Sequence, residues 1–335
     1  MGFSKLCGNE AVKKSLVRAV RQNRISNSYV FEGISGVGKR FCAEIFAGAL
    51  VCADENAPCG VCQGCTMAKN SIHPDILHIE PDEGKASIGV DNIRENIIKE
   101  AYIKPYYAKR KVFIIGDGDA LSVEAQNAFL KVLEEPPENV TFIICVTKQD
   151  KLLDTVLSRS LVLSFFPLSY SEVYNYLIEN YGESEHTGLI ARLSQGSIGT
   201  AVSMLSDENI TALFEESINQ ISMLKNEPAR VREVADFLIK EKESIEKVID
   251  FMLTYIRDCV FVKEGICEKV VYENKLSNMR VFCGNLSKKS LVSAFDRLIE
   301  FKVRLTQNLN YDASVLETVM RIWEDFHDKS SGHKI

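Results

Sequence analysis

The chain has 335 residues, with 46% hydrophobic and 26% charged side chains and a formal net charge of −6. That length predicts two or three domains with substantial cores, and the balance excludes a disordered or low-complexity chain. An acidic whole gives no general attraction to nucleic acid, so such a contact has to come from a local patch or through a partner. No apolar run approaches a membrane span and the N-terminus has no apolar leader core, so a cytoplasmic protein without membrane contact is expected.

In chain order, residues 9–24 place Val12, Leu16, Val17 and Val20 on one helical face, with Lys13, Lys14, Arg18 and Arg21 elsewhere. Residues 28–32 read as a short buried strand. Then comes Gly33-Ile34-Ser35-Gly36-Val37-Gly38-Lys39-Arg40, and residues 41–51 are apolar at helical spacing. Strand, glycine loop and helix are the order of a phosphate-binding P-loop. Its glycines let backbone N–H groups wrap a phosphate, its lysine reaches the terminal phosphates, and a Ser or Thr after the lysine holds Mg²⁺. Here Arg40 replaces that hydroxyl and brings positive charge to the cation's place. A ligand-free glycine turn is the plainer alternative, which the complete G-x-x-x-x-G-K frame disfavours.

After this helix, Cys52, Cys59, Cys62 and Cys65 fall within fourteen residues as two successive C-x-x-C steps. The spacing suits a structural zinc site with four thiolate ligands and no open position for catalysis. A redox dithiol or disulfide fits an intracellular chain less well, an iron–sulfur cluster also uses four thiolates, and His73 is an alternative ligand.

Residues 75–80 alternate as a strand, and 88–98 place Val90, Ile93, Ile97 and Ile98 on one helical face. The segment 103–111 interleaves basic and aromatic residues. It reads as a solvated loop before a strand, with contact to a phosphate backbone as the sharper option. Residues 112–115 form a buried strand ending at Gly116-Asp117-Gly118-Asp119, where a P-loop ATPase places a metal-binding acid. Gly116 holds that position, and a one-residue slide would bring in Asp117. A helix over 122–135 is stopped by Pro136-Pro137, and strands follow at 141–146 and 161–165, flanking Leu157-Ser158-Arg159-Ser160. The expected fold is α/β, a doubly wound parallel sheet with ligands at the carboxyl ends of its strands. Beyond residue 167 the pattern is helical only. Ile245, Val248, Ile249, Met252, Ile256 and Val260 are expected to make one core face, and Leu291, Phe295, Leu298, Val303 and Leu305 another.

These residues resemble the AAA+ clamp-loader subunits of bacterial DNA polymerase III, from the N-terminus to about residue 325. The resemblance rests on residues 111–115, Leu121-Ser122, the run 127–137, Leu157-Ser158-Arg159, the cysteine cluster, His73-Pro74-Asp75, segment 90–94 and segment 307–310. It implies a P-loop AAA+ domain over 1–166 with a zinc module at 52–65. A small helical lid over 167–208, a helical oligomerising collar over 209–328 and a polar tail at 329–335 would follow. The family contains ATP-hydrolysing motors, gamma and tau, and a non-hydrolysing relative, delta prime. Arg40, Gly116 and Gly199, the last at the place of a second sensor arginine, match the non-hydrolysing branch.

By the resemblance, Arg159 projects as an arginine finger into a neighbouring motor's ATP site. Gly33, Gly36, Gly38, Lys39 and Arg40 would leave ATP or ADP binding without turnover. The implied partners are gamma or tau motors and a delta subunit in a hetero-pentamer, the sliding clamp, and primer–template DNA through the assembly. The rival readings are an active motor with altered Mg²⁺ ligation and a zinc-dependent DNA-binding module with a relic P-loop.

Overall fold

The computed structural model describes residues 2–54, 57–82, 84–184, 186–207, 209–305 and 310–328; the expected tail at 329–335 and residues 307–309 of segment 307–310 lie outside them. The chain divides into two compact units, Met1–Glu183 with Ser194–Ser203, and Ser184–Leu193 with Met204–Ile335.

In the first unit, α1 (Glu10–Arg21) precedes β1 (Ser28–Glu32), which runs through the glycine loop into α2 (Lys39–Leu50). Then follow α3 (Gln63–Lys69), β2 (Ile76–Ile79), α4 (Val90–Ile93), β3 (Lys111–Ile115), α5 (Val123–Glu134), β4 (Val140–Val146), α6 (Asp154–Leu157), β5 (Leu161–Ser164) and α7 (Tyr170–Tyr181). Among the described residues five strands form one parallel sheet in the order β2-β3-β4-β1-β5. β3 and β4 are buried along their whole length, as parallel strands covered on both faces must be.

Alternation divides their side chains. Tyr29, Phe31, Val112, Ile114, Ile143 and Cys145 pack toward α1 and α2. Val30, Phe113, Ile115, Phe142, Ile144 and Val146 pack toward α4 and α5. The loop after β1 therefore opens at the carboxyl edge of an interior strand, between the ends of β4 and β5. Ser122 caps α5 by accepting from the Ala125 N–H, and Ser169 with Glu172 forms a full capping box on α7.

Two elements differ from the sequence pattern. The helix expected over 88–98 is α-helical only through Ile93 and continues as a π-turn over Arg94–Lys99. Ile93 and Ile97 are buried there, with Val90 and Ile98 half-buried. Lys111, placed in the basic segment, is fully buried and donates to the Glu100 carbonyl at 3.0 Å and the Glu100 carboxylate at 3.2 Å. Being the first residue of a strand covered on both faces leaves it no route to solvent.

The helices continue with α8 (Thr187–Leu193) and α9 (Ile198–Leu205). The second unit is built from α8 together with α10 (Ile210–Met223), α11 (Arg230–Lys240), α12 (Ile245–Lys263), α13 (Leu276–Cys283), α14 (Lys288–Arg304) and α15 (Tyr311–His327). Because α12 packs against α10, α13 and α14 at once, it is buried around most of its circumference rather than along the one expected face. On α14, Leu291, Ala294, Leu298 and Phe301 point inward, whereas Val303, expected in the core, lies outside that stripe and is exposed. Val292, Ile299 and Val303 of α14, with Leu316 and Met320 of α15, present exposed apolar side chains. Among the described residues no helix is long and apolar enough to cross a membrane.

Candidate functional site

The glycine loop adopts the backbone its sequence requires. Gly36 and Gly38 have φ of +71° and +104°, conformations that L side chains rarely adopt. The beginning of α9 closes on the loop's outer side: Ser197 Oγ donates to the Ser35 carbonyl at 2.9 Å, and the Gly199 N–H donates to the Gly36 carbonyl at 2.9 Å. A Cβ on Gly199 would stand 2.8 Å from Gly36 Cα, so the position proposed for a sensor arginine is here one of backbone-to-backbone contact.

Lys39 Nζ turns back into the loop and donates to the carbonyls of Gly33 and Ile34. Burial holds its pKa below the usual lysine range. Arg40 reaches across to the end of β2, where its Nη2 pairs with a Glu80 carboxylate oxygen at 2.5 Å. Its guanidinium lies over Gly116: a Cβ there would be 3.2 Å from Arg40 Cζ. The two departures are thus a single arrangement, because an acidic side chain at 116 would have to displace the guanidinium. Asp119 faces the same end of the sheet, with its carboxylate accepting from the Thr147 N–H at 2.9 Å and from Thr147 Oγ, while Asp117 is exposed. Together these groups line a cavity of about 630 Å³ that continues past Leu6, Tyr176, Tyr181 and Val202.

The four clustered thiols converge. All their sulfur atoms lie within 4.8 Å of one another, with Cys52 to Cys62 at 3.9 Å and Cys59 to Cys65 at 4.0 Å. Four zinc–sulfur bonds of tetrahedral geometry put sulfurs about 3.8 Å apart, so the spacing fits one ion. Backbone N–H groups of Asp54 and Cys59 point at Cys52 Sγ, that of Cys62 at Cys59 Sγ and that of Cys65 at Cys62 Sγ, at 3.3 to 3.4 Å. Such donors favour thiolates; the Cys65 N–H pulls the Cys62 thiol down to about 6, whereas burial pushes Cys65 up to about 12. The cluster could hold a zinc ion. His73, the alternative ligand, is outside this group: its Nδ1 accepts from the Asp75 N–H at 3.0 Å, and burial lowers its pKa.

Arg159 follows α6 and is partly exposed. Its Nη1 donates to the Thr155 carbonyl at 2.9 Å, and its Nη2 pairs with Glu134 at 2.9 Å. Ser160 beside it donates to the Val156 carbonyl and shares a hydrogen bond with Ser28 Oγ at 2.7 Å, which fixes the triplet's backbone to β1.

The family model described as "DNA polymerase III, delta subunit" matches residues 8–169. DNA polymerase III subunit delta' of Bacillus subtilis is 26% identical over 93% of this chain and 95% of its own length. Over nearly its whole length the chain is thus similar to a subunit of DNA polymerase III. Subunit tau of B. subtilis is 29% identical over 80% of this chain, and tau of Escherichia coli 32% identical over 63%; the matches span 52% and 33% of those longer proteins. Among solved structures, a gamma subunit-related protein of Thermotoga maritima aligns over 93% of this chain and 99% of its own, at 18% identity and a TM-score of 0.46.

In this chain the 103–111 segment is a fixed loop. The buried Asp75 carboxylate accepts from the backbone N–H groups of Tyr106, Tyr107 and Ala108 at 2.6 to 2.7 Å. Arg110 is spent on the Val140 carbonyl and Thr141 Oγ. With Lys111 buried, that leaves Lys104 and Lys109 as its exposed cations. Sequence reasoning missed Glu80, Glu134 and the Ser197 contact. Glu80 and Glu134 end a strand and a helix, and their roles become visible only once strand order puts β2 beside β3 and α5 beside α6.

Proposed function

We propose that this chain is a non-hydrolysing clamp-loader subunit of the delta prime type. It completes a hetero-pentameric ring with gamma or tau motors and a delta subunit, and assists loading of the sliding clamp on primer–template DNA. Arg159 is the arginine finger given to a neighbouring motor, where a forked guanidinium stabilises charge developing on the γ-phosphate. The observation that carries this reading is the Arg40 guanidinium over Gly116, paired with Glu80, where a motor needs a hydroxyl and an acid to hold Mg²⁺.

The zinc ion is structural: four protein thiolates would leave no position for substrate. Residues 167–208 act as the lid and 209–328 as the collar. The apolar side chains exposed on α14 and α15 support the collar role, since large apolar groups gathered on exposed helix faces can serve as interaction sites. Gly33, Gly36, Gly38 and Lys39 retain a phosphate cradle without turnover.

Reconstitution tests the assignment. Mixed with motor and delta subunits, the intact chain gives a pentamer by native mass spectrometry that loads a labelled clamp on primed DNA. Met320→Glu weakens ring assembly with little effect on the chain's own melting. An isolated chain that hydrolyses ATP with Lys39 dependence would assign it to the motors instead.

A further inference from the structure

We propose that Arg40 acts as a built-in cation, so that the cavity takes a nucleoside diphosphate without any divalent metal. This rests on the reading of Gly33–Lys39 as a retained phosphate cradle and specifies its ligand and its metal requirement.

The residues for Mg²⁺ do not fit that ion. The hydroxyl that would hold it is replaced by a guanidinium, and the acid that would complete its shell is a glycine over which that guanidinium lies. Asp119, the remaining anchored acid, spends its carboxylate on the N–H and hydroxyl of Thr147. The fit to a phosphate is better. Lys39 and Arg40 both line the cavity, at the amino end of the twelve-residue α2, and a planar guanidinium can grip phosphate oxygens bidentately.

Glu80 holds Arg40 at the end of β2 while leaving it substantially exposed, with 55% of its side chain accessible. The arginine is thus aimed and available, and phosphate binding exchanges one anionic partner for another. Lys39 likewise has only backbone carbonyls to give up. Charge favours the shorter ligand. Two monovalent cations supply one unit less than a lysine with a divalent ion, which matches a diphosphate better than a triphosphate. Beyond the cations the cavity is walled by Leu6, Tyr176, Tyr181, Ile198 and Val202, an apolar end suited to a base.

The test is binding of a fluorescent N-methylanthraniloyl-ADP to the full chain, in buffer freed of divalent ions by resin and again with Mg²⁺ added. Chelators are left out because they would strip metal from the thiols. Affinity is expected to agree within about threefold between the two conditions and to exceed that for the triphosphate analogue. Arg40→Thr, which restores the hydroxyl, should bind about tenfold or more weakly without Mg²⁺, in line with loss of a charge-assisted contact, and recover when it is added. Glu80→Gln frees Arg40 and should tighten metal-free binding. Wild-type binding that needs Mg²⁺ would overturn the inference while leaving the cradle reading intact. No binding in either condition, with circular dichroism and zinc content normal, would overturn both. The role of Arg159 is read separately and survives either result.

Discussion

Two places in the sheet unit carry basic residues of the kind that handle phosphate, and they are built differently. Around the glycine loop the cations are gathered at one cavity: Lys39 bonds its own loop, Arg40 pairs with the partly exposed Glu80, and Gly36 and Gly199 meet backbone to backbone. At Arg159 the cation is held at the surface by a carboxylate, a carbonyl and the Ser158 hydroxyl. A salt bridge between exposed groups is worth little, so Arg159 can be surrendered to another ligand at small cost. The first arrangement keeps its two cations at a cavity of the chain, and the second holds a single cation at the surface outside that cavity.

Breaking the proposed zinc site is the harshest way to test that contrast, because α2 runs from the glycine loop toward the thiols. Cys59→Ser should release the ion and cost several kcal/mol, on the order expected of a structural zinc site. Hydrogen exchange should quicken in α2 and the glycine loop and stay unchanged around Arg159. Gly199→Arg drives a side chain into the Gly36 backbone and should cost about 3 kcal/mol in denaturant titrations, as an overpacked position does. Asp119→Ala, which orphans the Thr147 N–H, should cost about 2 kcal/mol by the same assay. Arg159→Ala should cost less than about 1 kcal/mol, and a larger loss would mean that the arginine is structural after all.

Much of this was legible beforehand. The strands, the glycine loop and the thiol cluster announce themselves by short-range pattern: β-branched runs, positive-φ glycines and C-x-x-C spacing. What needed the folded chain was long-range. Arg40 was read as an anomaly in a motif, and its partner Glu80 is forty residues away, just past the end of β2. Lys111 was read within a solvated basic loop, with contact to a phosphate backbone as the sharper option, yet the strand that starts there buries it. The one-sided pattern read into α12 hid a helix enclosed by three others, since periodicity reports the strongest face and not the number of neighbours.

The most direct measurement compares ATP hydrolysis by the assembled loader, stimulated by clamp and primed DNA, with this chain intact or carrying Arg159→Ala or Lys39→Ala. The account predicts that Arg159→Ala lowers hydrolysis at the adjoining motor by about a thousandfold, the lower range for a finger, while Lys39→Ala leaves the rate nearly unchanged. A comparable loss with Lys39→Ala, or none with Arg159→Ala, would contradict it.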